Sequence, residues 1–276
     1  MIVKPPASIL NLKPQQITSR DNSLLRRARA VRDGKEDDLI FVEGLRLCEE
    51  ALRSDLQIDS VIYSDHLARK PRAAKLISEL ESKANKSAIV SEKLLDSISY
   101  TKTPQGIVLM AARPAVNNRD FAAKQSGAPL IVVMHGTNNP VNTGAILRTA
   151  EAAGVSGVIT TPGTADPFSP KSLRGAMGSA FRLPVWTGVE FLEALAWCHD
   201  RDIQTVCADV HAGTSYTDID WRRGSALVLG SESAGLTPEE IAAASKCVRI
   251  PMKGVTESLN VAVAAGIILF EASRQR

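Results

Sequence analysis

The sequence lacks the signatures of several common classes of enzyme and binding protein. Its four cysteines show no C-x-x-C spacing, which argues against a zinc ribbon, an iron–sulfur radical enzyme and a disulfide scaffold. Neither G-x-G-x-x-G nor G-x-x-x-x-G-K-[ST] occurs, so dinucleotide or ATP binding through those motifs is not supported. The four histidines are scattered and suggest no Ser/His/Asp arrangement. The chemistry must therefore be sought in other residues.

Charge and hydropathy exclude further classes. The net charge of the 276 residues is only +3, so a basic surface for a polyanionic partner has to come from local clustering. Residues 1–15 contain no continuous apolar core, and no run is long enough to span a bilayer. With 44% hydrophobic and 23% charged residues, the sequence predicts a globular cytoplasmic protein of one large or two modest domains without a membrane segment.

Strand and helix patterns alternate along most of the chain, which predicts an α/β protein. Residues 1–16 contain three prolines and are predicted to be flexible. A smaller α/β unit is expected over residues 17–112. A polar, turn-rich linker follows over residues 113–128, and a second unit with a mainly parallel sheet is expected over residues 129–276.

The first unit begins with a basic helical stretch. Four of its arginines are candidate RNA-phosphate contacts: Arg20, Arg26, Arg27 and Arg29. A basic helix face of this kind suits phosphate binding, and an ordinary solvated face fits the pattern equally well.

Three predicted strands of the second unit, at residues 130–134, 226–229 and 247–250, each run into a polar loop. Ligands of parallel sheets bind beyond the carboxyl ends of the strands, so the three loops are expected to form one site. Their candidate functional side chains are Asn142, Arg148, Glu232, Ser258 and Asn260. Asn142 also fits a helix N-cap, whereas Arg148 suits a phosphate or carboxylate ligand.

The C-terminal segment has no charged side chain from Ser258 to Phe270. It predicts a helix, capped by Thr256 or Ser258, that is apolar on more than one side. Such a helix needs cover from two surfaces, and a symmetric homodimer would supply the second.

Three segments resemble the three motifs of the SpoU/TrmH branch of the SPOUT methyltransferases: residues 142–150, 230–236 and 250–262. One departure is Ala262, where the family often has Ser. Residues 17–112 resemble the accessory RNA-binding domain of that family, a ribosomal-protein-like fold, in residues 17–22 and 41–44.

The resemblance implies a C-terminal trefoil knot, a homodimer, no metal, and S-adenosylmethionine as the cofactor. By motif position, the cofactor would contact Leu229, Gly230, Ile250, Met252 and Leu259. The reaction implied is methyl transfer to a ribose 2′-hydroxyl of RNA. Arg148 would position a phosphate and stabilise developing alkoxide charge, with Asn142 fixing Arg148 or the ribose. Glu232 would hold the loops together, and Ser258 and Asn260 would orient the cofactor loop and the substrate.

Within this interpretation, the two-domain layout favours large-subunit ribosomal RNA of the 23S type as the substrate. Transfer RNA is the alternative within the enzyme class. A non-catalytic RNA-binding or ribosome-assembly protein that keeps the fold is the alternative outside it. S-adenosylmethionine binding separates the catalytic from the non-catalytic interpretation.

Overall fold

A computed structural model of the protein describes residues 14–123 and 127–276. The chain divides into two compact units, Met1–Arg113 and Pro114–Arg276. Residues 1–16 are predicted to be flexible, and residues 1–13 of this segment lie outside the described residues. Its last residues, Gln15 and Gln16, already belong to the first strand.

The first unit is a five-stranded mixed sheet covered by helices. Its strands are β1 (Gln15–Ile17), β2 (Leu39–Glu43), β3 (Ile58–Ser64), β4 (Lys86–Val90) and β5 (Ile107–Ala112). Its helices are α1 (Ser23–Arg32), α2 (Leu45–Arg53), α3 (Asp65–Ala68), α4 (Pro71–Lys83) and α5 (Glu92–Ile98). The order is β1-β4-β3-β5-β2, with β5 antiparallel to both of its neighbours.

Helix α1 illustrates why these elements form. The Asn22 side chain caps its first turn by accepting a 2.9 Å hydrogen bond from Leu24 N. The buried residues Leu24, Leu25, Ala28 and Val31 recur at helical spacing and pack on the sheet. The arginines of α1 are thereby left on the other face or at its margin.

The second unit contains a seven-stranded sheet in which every pair of neighbours is parallel. Its strands are β6 (Leu130–Met134), β7 (Gly157–Thr160), β8 (Val185–Thr187), β9 (Gln204–Ala208), β10 (Thr214–Ser215), β11 (Ser225–Leu229) and β12 (Lys246–Arg249). The order is β10-β12-β9-β11-β6-β7-β8. The predicted large parallel sheet is therefore confirmed, and the ends of β6, β11 and β12 meet at one edge.

Helices cover this sheet: α6 (Asn118–Ala123), α7 (Pro140–Ala152), α8 (Pro170–Ala176), α9 (Ser179–Arg182), α10 (Phe191–His199), α11 (Pro238–Ala243) and α12 (Val261–Gln275). Helix α6 falls within the predicted linker of residues 113–128. Phe121 of α6 is fully buried and packs against Trp186 and Trp197, with ring centroids 5.8 and 5.2 Å away. Part of that segment thus belongs to the core of the second unit.

Helix α7 begins at Pro140, which places Asn142 inside the helix. The cap is Asn139, whose side chain accepts from Val141 N at 3.0 Å, and Pro140 occupies the first helical turn. The prediction that Asn142 is an N-cap is wrong, since Asn142 lies inside the first turn and is only 8% exposed. On the same helix, Gly144 meets Gly175 of α8 so closely that a Cβ at Gly144 would lie 2.4 Å from Ser172 O.

The predicted cap of the C-terminal helix is also wrong. Asn260, and neither Thr256 nor Ser258, caps α12 by accepting from Ala262 N at 2.9 Å and from Val263 N at 3.4 Å. One stripe of the helix is buried: Ala265, Ile268, Leu269 and Ala272. In the described part of the chain, no helix combines the length and the hydropathy needed to cross a membrane.

Candidate cofactor cleft

A cleft in the second unit has a volume of about 970 Å³ and lies at the carboxyl edge of the sheet. Loops after β9, β11 and β12 line it, together with the start of α7 and of α12. Nine of the ten residues predicted for the catalytic and cofactor sites line this cleft: Asn142, Leu229, Gly230, Glu232, Ile250, Met252, Ser258, Leu259 and Asn260. The three loops, which are far apart in the sequence, therefore line one cleft, as expected.

The carboxylate of Glu232 holds the first two loops together. Its Oε2 accepts from Asn138 N at 3.0 Å, and its Oε1 accepts from Asn139 N at 3.2 Å and from Asn142 Nδ2 at 2.9 Å. Partial burial would raise the pKa of Glu232, but the hydrogen bonds from Asn142 and the two backbone amides outweigh it. They hold the pKa of Glu232 below its ordinary value. Glu232 thus stabilises the loop as a carboxylate that is charged at neutral pH.

Asn142 links Glu232 to the start of the C-terminal helix. Its Oδ1 accepts from Asn260 Nδ2 at 3.1 Å, while its Nδ2 donates to Glu232. Asn260 has its own Oδ1 engaged as the cap of α12. One residue from each of the three loop regions therefore takes part in a single chain of hydrogen bonds.

Gly230 is required by the shape of the second loop. A Cβ at this position would lie 2.5 Å from Gly235 C and 2.8 Å from Leu236 N. The loop folds back on itself there, because Ser231 and Gly235 exchange backbone hydrogen bonds and Gly235 has a φ of +67°. A side chain at Gly230 would collide with protein backbone before it reached any ligand.

The remaining candidates divide into an apolar floor and a polar rim. Leu229 is buried at the end of β11, and the buried Val248 of β12 also lines the cleft. Met252 and Ser258 are exposed at the rim, and Ile250 and Leu259 are half-buried. The cleft therefore offers apolar walls and exposed main-chain groups to a bound molecule.

Arg148 is the one predicted catalytic residue that does not line the cleft. It is exposed on α7 and has no hydrogen-bond or ion-pair partner among the described residues. The side chain therefore does not help to hold the described part of the fold together.

One wall of the cleft and the hydrogen-bond partners of His135 were not identified from the sequence. The loop Ala208–His211 after β9 forms one wall, and His211 N donates to Asp209 Oδ1 at 2.8 Å. His135 packs behind the first loop, with Nδ1 2.8 Å from Thr161 Oγ1 and Nε2 2.9 Å from Glu240 Oε1. For Ala208–His211, the position directly after a strand was the available signal.

The four arginines predicted to bind RNA differ in their surroundings. Arg27 forms ion pairs with three carboxylates, at 2.9 Å to Glu36, 3.3 Å to Asp59 and 3.7 Å to Asp38. Arg29 donates to Arg20 O at 2.9 Å. The Arg20 and Arg26 side chains are exposed. Arg27 is thus engaged in ion pairs within the first unit, whereas Arg20 and Arg26 are exposed and available to bind phosphate.

No group of three or more metal-ligating side chains occurs within residues 14–123 and 127–276.

Two family descriptions match the chain. The SpoU rRNA Methylase family matches residues 129–270, and the domain described as RNA 2'-O ribose methyltransferase substrate binding matches residues 41–116.

Similar proteins are known over nearly the whole chain. An uncharacterized tRNA/rRNA methyltransferase of Synechocystis sp. is 30% identical over 263 residues, which cover 94% of either protein. The 23S rRNA (guanosine-2'-O-)-methyltransferase RlmB of Bordetella pertussis is 33% identical, over 78% of this chain and 89% of the relative.

Solved structures agree with these sequence relationships. The AdoMet-bound rRNA methyltransferase of Sinorhizobium meliloti superposes with a TM-score of 0.83 at 31% identity, covering 94% of this chain and 97% of that one. The SpoU methyltransferase AviRb of Streptomyces viridochromogenes, in complex with the cofactor AdoMet, also has a TM-score of 0.83, at 27% identity and with 92% and 98% coverage.

Proposed function

The chain belongs to the SpoU rRNA methylase family, and we propose that it transfers the methyl group of S-adenosylmethionine to a ribose 2′-hydroxyl of large-subunit ribosomal RNA. The observation that carries this proposal is the cleft in which Glu232, Asn142 and Asn260 join three loops. Relatives named as 23S rRNA methyltransferases support ribosomal RNA over transfer RNA. Because these relatives are bacterial, a cytosolic location fits the same proposal.

The cleft fits S-adenosylmethionine. Its volume of about 970 Å³ exceeds what a cofactor of this size needs, and it combines apolar floor residues with exposed backbone groups. Leu229, Gly230, Ile250, Met252 and Leu259 would hold the cofactor, largely through main-chain donors and acceptors. The bound cofactor supplies an electrophilic methyl group.

Activation of the 2′-hydroxyl is assigned to Arg148. A guanidinium does not readily give up its proton, so Arg148 acts as a cation that binds the adjacent phosphate and stabilises developing alkoxide charge. Phosphate or solvent then accepts the proton. Asn142 and Asn260 act by holding the loops in register, and Ser258 at the rim orients the substrate.

The active form is a homodimer built on α12. Val263 and Phe270 of α12 are 52% and 53% exposed although both are large and apolar, and a second subunit would cover them. Helix α12 packs against α7, which carries the exposed Arg148. The partner subunit would therefore approach the helix that bears the catalytic arginine.

The C-terminal segment forms the trefoil knot of the SPOUT superfamily. Support comes from strand order, because β12 lies between β9 and β10 inside the sheet while α12 returns to α7. The first unit binds RNA, as the family description of residues 41–116 suggests, and Arg20 and Arg26 are its candidate phosphate contacts.

The test is incubation of the purified protein with methyl-labelled S-adenosylmethionine and ribosomal RNA from cells that lack it, with transfer RNA from the same cells as the comparison. Label in large-subunit RNA at a ribose that resists alkaline cleavage supports the proposal. Label in transfer RNA alone would show that the substrate is transfer RNA. S-adenosylmethionine binding without label in either RNA would contradict the proposal. A protein that does not bind the cofactor would be the non-catalytic alternative.

A further inference from the structure

The first unit presents one exposed aromatic side chain on an unusually well-supported loop. Tyr100 is 43% exposed and is the only large apolar residue in the described part of this unit that is exposed to this extent. Its hydroxyl has no hydrogen-bond partner among the residues described for the chain. A single exposed aromatic is ordinary on a protein surface, so what matters is how its backbone is held.

A buried carboxylate fixes the backbone beneath Tyr100. Glu43, at the end of β2, is only 7% exposed. Its Oε2 accepts from Tyr100 N at 2.8 Å and from Thr101 N at 3.2 Å, and its Oε1 accepts from Thr101 Oγ1 at 2.6 Å. Burying a carboxylate is costly unless it is hydrogen-bonded. Here all three hydrogen bonds come from two adjacent residues of one loop.

The rest of the loop is fixed from both ends. Arg32 of α1 donates to Ser99 O at 3.2 Å. At the other end, Gln105 Oε1 accepts from Leu45 N at 3.0 Å. Gly44, with a φ of +100°, allows this approach, since a Cβ there would lie 2.9 Å from Gln105 Oε1. Tyr100 therefore projects from a rigid frame and loses little backbone entropy when it binds a partner.

The loop around the ring is polar and carries one exposed lysine. Lys102, two residues further on, is exposed. The end of the same loop borders a polar cavity of about 310 Å³, which is lined by His66 and Lys70 and also by Glu92 and Asp96. An exposed aromatic ring with a lysine on the same loop matches an unpaired nucleotide, whose base stacks while its phosphate is neutralised.

We propose that Tyr100, held by Glu43, is a stacking platform for an unpaired base of the RNA substrate, with Lys102 contacting the adjacent phosphate. The proposal rests on the proposed function, since it names how the first unit recognises the RNA. It goes further by specifying single-stranded RNA and one side chain.

The experiment measures binding of the full-length protein to a short unstructured RNA carrying 2-aminopurine, whose fluorescence falls on stacking. Tyr100→Ala should weaken binding roughly 5- to 150-fold and abolish the quenching, since stacking of one base contributes on the order of that factor. Tyr100→Phe should bind like the wild type, because it keeps the ring and loses only an unbonded hydroxyl. Leu192→Ala, which trims an exposed apolar side chain in the second unit, is the matched control.

The salt dependence separates stacking from charge. Tyr100→Ala should leave the slope of log affinity against log salt unchanged, whereas Lys102→Ala should reduce it by about 0.7. Wild-type affinity of Tyr100→Ala, or equal weakening by Tyr100→Ala and Tyr100→Phe, would overturn the proposal. So would an equal loss on a duplex of the same sequence. S-adenosylmethionine binding and methylation by the wild type test the proposed function separately.

Discussion

Asn260 Nδ2 donates to Asn142 Oδ1 at 3.1 Å, across 118 residues of sequence. Each amide has only one consistent orientation, because Asn260 Oδ1 caps α12 and Asn142 Nδ2 donates to Glu232. The pair thus ties the beginning of α12 to the beginning of α7. The following predictions start from this link.

Asn142→Ala should lower the free energy of unfolding by about 1–3 kcal/mol, because the buried Asn142 amide bonds both the charged Glu232 carboxylate and Asn260. It should also weaken S-adenosylmethionine binding, since the third loop loses its anchor. Urea denaturation and calorimetry measure the two effects. Asn138→Ala is the matched control, as only the backbone of Asn138 bonds to Glu232. Equal stability of the two variants would show that the amide pair contributes little.

The contribution of Glu232 should depend on pH. Its folded-state pKa lies below the ordinary value, so its stabilisation is complete above the unfolded-state pKa and is lost as the pH falls through the folded one. The difference in thermal midpoint between the wild type and Glu232→Gln should therefore be largest near neutral pH and shrink in acid. Glu239→Gln, on the exposed surface of α11, should show no such trend. A difference that is constant with pH would contradict the assignment.

Arg148→Ala should fold and bind S-adenosylmethionine normally, because the side chain is exposed and unpaired. Its single-turnover methylation rate at saturating enzyme should fall about a hundred- to a thousand-fold, as for loss of one charge-stabilising donor. Arg148→Lys should also be slow, since an ammonium group does not replace a bidentate fork. Arg119→Ala, another exposed arginine of the second unit, should be unaffected. A near-wild-type rate for Arg148→Ala would remove this residue from the mechanism.

Phe270→Glu should convert the proposed homodimer into a monomer, because it places a charge on the apolar face of α12 that a second subunit would cover. Light scattering at micromolar concentration measures the mass of each variant. Leu192→Glu alters a side chain that is 66% exposed on α10 and should leave the mass unchanged. A monomeric wild type under the same conditions would refute the prediction.

Arg26→Ala and Arg27→Ala should have opposite consequences although the residues are adjacent. Arg26 is exposed, so its loss should reduce the salt slope of RNA binding by about 0.7–0.9 and leave stability unchanged. The hydrogen bond with Glu36 and the nearby carboxylates raise the pKa of Arg27. Its loss should cost on the order of 1 kcal/mol of stability and leave the slope intact. The reverse result would show that the ion pairs of Arg27 open to bind RNA.

The sequence predicts well what depends on local periodicity. Alternating elements and polar loops after apolar strands suffice to bring Asn142, Glu232 and Asn260 to one edge of the sheet. It predicts poorly what depends on partners elsewhere in the chain. The choice between Asn139 and Asn142 as the cap of α7 depended on recognising Pro140 as the first helical residue. The ion pair of Arg27 with Asp59, 32 residues away, could not be inferred without the fold.

The order of strands also determines when the cleft can form during synthesis. Strand β11 pairs with β6 and β9, and β12 pairs with β9. The middle of the sheet therefore cannot form until β11 and β12 have been synthesised. Contacts between distant segments make folding slow, and the cleft needs Asn260 near the end of the described chain. The first unit has its own core and is translated before that point. It can therefore fold while the ribosome is still making the second unit, whose cleft is complete only after Asn260 has been synthesised.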